Sequence, residues 1–200
     1  MAELKEFNPI AGVPFDLEDD LTLILAPNPS PMTERGTNTY ILGQSELVVI
    51  DPGPKSEAHL AAMLSCIGER TVTHILLTHS HLDHSPLAKP VAGETGAPVF
   101  AFGPSHAGRS MVMEQLAAQG FAGGGEGIDV AFQPDELLAD GLSVDTSVGA
   151  IKAIHTPGHI GNHLSFQWKD AVFTGDHVMG WASSLVSPPD GALTDFMESC

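Results

Sequence analysis

Short apolar runs punctuate this chain, and their spacing changes two-thirds of the way along. Residues 21–26 (LTLILA), 38–42 (NTYIL) and 47–51 (LVVID) each read as strands, the last two joined by four residues as a hairpin. Between the first two lies PNPSPMTERG, where three prolines in five residues bar regular structure. Residues 55–67 place Leu60, Ala61, Leu64 and Ile67 at helical spacing, and residues 73–78 (THILLT) form a nearly continuous run fit for a buried strand. Ser85-Pro86 predicts a helix start, with Ser as cap and Pro in the first helical position, running towards Gly93. A strand over 98–101 and a helix over 105–119 follow. Five glycines within residues 120–127 predict a surface loop. Beyond it the pattern turns to short strands at 130–133, 137–138, 142–144, 150–155, 163–167 and 171–174, and residues 193–200 open as a helix. The alternation predicts a layered α+β domain spanning residues 1–200.

Composition narrows the function less than the pattern narrows the fold. With 42% hydrophobic residues among 200, a sizeable core is expected. Eight Lys and Arg stand against 25 Asp and Glu, a net charge of −17 that argues against a broad phosphate-binding surface. The start of the chain carries no apolar signal segment and no run long enough to span a bilayer, and the two cysteines, Cys66 and Cys200, make no disulfide framework. A cytoplasmic protein with no membrane association is the expectation.

The histidines carry the chemistry. Three of ten, His79, His81 and His84, leave the predicted buried strand together with Asp83 as THSHLDH. In an extended segment residues two apart face one side, so His79 and His81 can converge on one ion while Asp83 and His84 turn towards another. Imidazole with carboxylate suits zinc, with iron or manganese as alternatives. His159 is presented by a Pro157-Gly158 turn, and Asp176 ends a later strand as TGD, where its two oxygens suit a bridge between two ions. His155 is expected to pack on its strand, and His59, His74 and His106 to be structural or exposed.

These motifs resemble the metallo-β-lactamase superfamily over roughly residues 38–180. Asp51 in VVIDPG resembles the strand-end Asp that supports the metal loop, His79 to His84 the central motif, His159 in TPGH the third and Asp176 in TGD the fourth. The resemblance implies an αββα sandwich of two mixed sheets with outer helices. It implies two zinc ions, the first held by His79, His81 and His159, the second by Asp83 and His84, with Asp176 bridging. It also implies a metal-bound hydroxide as nucleophile, with Asp83 orienting it and handling its proton. His81 stands where the oxygen-reducing di-iron branch usually has Glu, which favours hydrolysis of an ester, thioester, lactone or phosphodiester. The closest branches are the lactamase-beta-like endoribonucleases, which would take RNA, and the glyoxalase-II-type thioesterases; a one-iron persulfide dioxygenase and a non-catalytic metal-binding protein are the other classes. His163 and Trp181 are candidate substrate contacts. The family's late His has no counterpart after Asp176, because His177 adjoins the bridge, so a chain truncated late in the domain, or an incomplete second site, is expected.

Overall fold

The computed structural model describes residues 7–120 and 127–200. A seven-stranded sheet runs in chain order: β1 (Phe15–Glu18), β2 (Leu21–Leu25), β3 (Asn38–Leu42), β4 (Glu46–Ile50), β5 (Thr71–Leu76), β6 (Val99–Ala101) and β7 (Glu136–Leu137). The first four are antiparallel neighbours; β4 to β7 are parallel. Helices α1 (Glu57–Ile67) and α2 (Ala88–Thr95) make the crossovers from β4 to β5 and from β5 to β6. The second sheet, β8 (Ser143–Thr146), β9 (Gly149–His155), β10 (Leu164–Trp168) and β11 (Ala171–Phe173), is antiparallel throughout. Two further helices, α3 (Met111–Ala118) and α4 (Leu193–Ser199), lie outside the sheets' strand order.

Alternation along β4 explains the layering. Leu47 and Val49 face α1 and α2 in one core with Met63, Ile67 and Val91, while Val48 and Ile50 face the second sheet in another core with Ile151, Phe166 and Trp168. The central strands are thus buried on both faces, which is why they read as continuous apolar runs. The outer side of the small sheet is exposed at the paired residues Lys152 and Gln167. Among the described residues no helix is long and apolar enough to cross a membrane.

Several elements depart from the sequence pattern. The helix expected at Ser85-Pro86 begins at Ala88, with Leu87 in the cap position and no side-chain cap bond; the Ser85 hydroxyl donates to the Asp129 carboxylate (2.9 Å), and the proline of the first turn is Pro90. Residues 130–131 form a turn and 132–133 no regular structure, in place of the expected strand, with Phe132 buried as an anchor in the outer core. The helix expected from 105 starts at Met111, leaving His106 exposed in a turn. Strand β1 had no sequence signal beyond a brief alternation. Most of the glycine-rich loop, residues 121–126, falls outside the described residues.

His59 is fully buried within α1, its Nε2 2.8 Å from the Thr39 hydroxyl and its Nδ1 without a partner. Burial pushes its pKa down to about 4. Below about pH 6.5 the unfolded chain takes up a proton here that the folded chain refuses. The His59 contribution to stability should therefore fall on acidification, by about 2 kcal/mol between pH 6.5 and 4.5, and level off below about 4. Urea unfolding of wild type and His59→Gln across that range checks this; parallel pH curves for the two would count against it.

Candidate metal centre

The centre sits where the carboxyl ends of β4, β5, β9 and β11 meet. Asp51, one residue past β4, adopts a left-handed backbone (φ 50°), and its buried carboxylate organises the loop opposite. Oδ1 accepts the Thr78 N–H (2.8 Å), and Oδ2 accepts the Thr78 hydroxyl (2.7 Å) and Nδ1 of His84 (2.9 Å). That fixes the exit of the chain from β5 and hence the start of the histidine run.

His79, His81 and His159 then converge. Nδ1 of His81 lies 3.0 Å from Nε2 of His79 and 2.9 Å from Nε2 of His159. Oδ2 of Asp176 stands 3.5 Å from Nε2 of His159 and 4.0 Å from Nε2 of His79. On the other side, Nε2 of His84 is 3.3 Å from both Oδ2 of Asp83 and Oδ1 of Asp176. Two groups of potential ligands result, His79, His81, His159 and Asp176, and Asp83, His84 and Asp176. The two oxygens of Asp176 face one group each, so it alone belongs to both.

The hydrogen-bond partners select tautomers. Thr78 gives its proton to Asp51, so its oxygen accepts Nδ1–H of His79 (3.0 Å). Nδ1–H of His159 is donated to the Leu185 carbonyl (2.6 Å). In both rings the Nε2 lone pair is left facing the cluster, the arrangement a metal ligand needs. Burial, and then neighbouring imidazoles, push His79 well below the usual histidine range, and the same causes bring His81 down to about 4. Burial also lowers His159. Nδ1 of His81, as an N–H, can donate to only one of the two Nε2 lone pairs that face it, whereas a cation at that point accepts from all three rings.

At His84 burial opposes a charge, but Asp83, Asp176 and Asp51 together outweigh it and raise the ring well above its ordinary value. Its Nε2 is buried and makes no hydrogen bond. A buried ring nitrogen drawn between two carboxylates marks an excess of negative charge that a divalent cation offsets by taking the proton's place on Nε2. The residues present therefore fit metal ions in both groups, more fully in the four-ligand group.

The structure brings together every predicted ligand, His79, His81, Asp83, His84, His159 and Asp176, with Asp51 behind them. The two candidate substrate contacts differ in exposure. His163 is wholly buried, stacked on His79 (ring centroids 4.9 Å) and bonded to Thr156. Gly175 lies so close that a Cβ there would sit 2.7 Å from its Nε2. Trp181 is half-exposed and lines a cavity of about 270 Å³ beside Asp83, His84 and Asp176. His177 joins neither group; it is buried, with Nε2 3.3 Å from the Ser199 carbonyl. Sequence reasoning missed Thr37, whose hydroxyl donates to Oδ2 of Asp83 (2.9 Å), and the Leu185 carbonyl. Neither carries a local signal, because their partners lie 46 and 26 residues away.

Residues 32–199 match the family model of the metallo-beta-lactamase superfamily. The chain belongs to the metallo-beta-lactamase superfamily. It is 32% identical over 193 residues to a beta-lactamase-like protein 2 homolog of Drosophila melanogaster, covering 92% of this chain and 59% of that protein. It is 30% identical over 185 residues to an atrochrysone carboxyl ACP thioesterase of Aspergillus fumigatus, covering 88% of this chain and 49% of that one. The chain thus spans about half the length of the curated relatives it matches. The metallo-beta-lactamase fold is also that of a beta-lactamase domain protein from Burkholderia ambifaria, which superposes with a TM-score of 0.73 at 22% identity over 97% of this chain and 67% of that one.

Proposed function

We propose that this superfamily member is a two-metal hydrolase of ester, thioester or lactone bonds, with zinc as the first candidate metal and thioesters as the first candidate substrates. One observation carries the reading: a single carboxylate, Asp176, turns its two oxygens to two separate sets of ligands. A divalent ion supplies, when bound, Lewis acidity and a water whose pKa falls to about 7.

The chain's own residues do the rest. Asp51 holds His84 with Nε2 turned to the cluster, and the Leu185 carbonyl does the same for His159. Asp83 and Asp176 keep 29% and 24% of their side chains exposed, so the carboxylates, not the rings of His79 and His159, meet the cavity. Burial raises the Asp83 carboxyl, but His84 and the Thr37 hydroxyl pull it well below the usual carboxylate range. It stays ionised at neutral pH, able to hold a cation and orient a water, while the same pull makes it a weak proton acceptor. Likeness to a thioesterase supports a carbonyl substrate. An RNA or other phosphodiester substrate is the weaker reading, since no Lys or Arg is among the residues lining the cavity and the net charge is −17.

Stripping the protein with a chelator should lower thioester hydrolysis at least about 100-fold, and zinc should restore it. The check is metal analysis beside a screen of one thioester, one ester, one lactone, one phosphodiester and a short RNA. Turnover unchanged in the stripped protein, or none by the protein carrying two ions, would overturn the proposal. Iron with oxygen-dependent turnover would place the chemistry among oxidoreductases instead.

A further inference from the structure

The loop between β2 and β3 ends on the metal centre. Its neck is closed by the Ala26 N–H bonded to the Thr37 carbonyl (2.8 Å). Gly36 makes this closure with φ 137°, where a Cβ would strike the Ala26 carbonyl. Asn28 folds back inside the loop: its Oδ1 accepts the Thr37 N–H (2.9 Å) and its Nδ2 donates to the Thr37 hydroxyl oxygen (3.0 Å). A hydroxyl has one proton and two lone pairs. With Asn28 on a lone pair, the proton of the buried Thr37 is directed to Oδ2 of Asp83 at 2.9 Å.

That oxygen is also the one 3.3 Å from Nε2 of His84. A carboxylate oxygen can accept a hydrogen bond on one side and a cation on the other. Left alone, the Asp83 side chain would turn about its last torsion and offer either oxygen. We propose that Thr37, its hydroxyl aimed by Asn28, is a positioning residue that fixes Asp83 for cation binding by Asp83, His84 and Asp176, so that the affinity of this half of the centre is set from the β2–β3 loop. The inference rests on the two-ion reading above. It concerns the group with fewer ligands, where losing the orientation of one has most effect.

Cobalt(II) titrated into metal-depleted protein, followed by its visible bands and by equilibrium dialysis, tests this without any substrate. Wild type should take up two equivalents. Thr37→Val should leave the tighter equivalent unchanged and weaken the other roughly 10–100-fold, the usual effect of losing a group that orients a ligand. Thr37→Ser, which keeps the hydroxyl, should restore it. Asn28→Ala, which frees the hydroxyl to turn, should weaken the same equivalent, and this variant decides if Thr37→Val does not fold. Equal weakening of both equivalents, wild-type binding by the Val or Ala variant, a Ser variant as weak as Val, or a wild type that binds one equivalent would each overturn the proposal. Wild-type protein that binds two equivalents and hydrolyses nothing overturns only the hydrolase reading.

Discussion

Asp176→Asn should leave the fold standing and lower hydrolysis by at least about 10²–10³-fold, the scale of removing one preorganised electrostatic group from a catalytic site. The carboxamide has nearly the shape of the carboxylate, and the backbone N–H of residue 176, which points at Nε2 of His163 (3.3 Å), is untouched. What changes is the number of acceptor faces. Oδ1 looks towards His84 and Oδ2 towards His159 and His79. An amide offers one acceptor oxygen and puts two N–H donors where the other stood. Whichever way it flips, one ligand group loses its shared oxygen and gains a donor aimed at a would-be cation. Metal analysis should show the ion count falling from two towards one as turnover disappears. An Asn variant that kept two ions and full turnover would sink the bridging role.

The ligands were legible because their signals are local. His79 and His81 alternate at the end of a continuous apolar run, and Pro157-Gly158 and Gly175 punctuate strand ends beside His159 and Asp176. The outer and inner faces of β4 were likewise implied by an unbroken LVVI. The specific two-sheet sandwich needed the family resemblance, because periodicity says which strands are buried and not which pair. Everything set by partners distant along the chain was invisible. Ser85 looks like a helix cap, yet the helix starts at Ala88 and the Ser85 hydroxyl donates to Asp129, 44 residues on, while His163 looks available until His79 and Thr156 enclose it. Thr37 reads as an ordinary strand-end residue, yet it holds a ligand.

Asp51→Ala should cost about 3–5 kcal/mol of stability, the range for leaving a buried charged group's partners unpaired. The variant strands three donors at once: the Thr78 N–H, the Thr78 hydroxyl and Nδ1–H of His84, all buried. For a domain of this size that corresponds to a fall in Tm of roughly 6–20 °C. Ala also fits poorly at φ 50°, whereas Asn tolerates that region, so Asp51→Asn separates backbone from chemistry. Its amide oxygen can still accept the Thr78 N–H, but its NH₂ then faces both the Thr78 hydroxyl, whose oxygen can accept from it, and Nδ1 of His84. The imidazole must answer by moving its proton to Nε2, the atom that faces Asp83 and Asp176. A protonated Nε2 cannot bind a metal. Asp51→Asn should therefore melt much closer to wild type than Asp51→Ala and still lose the ion held by His84. Thermal melts and metal counts on both variants read the two effects separately. If the Asn variant held two ions as tightly as wild type, Asp51 would be a prop for the loop and nothing more.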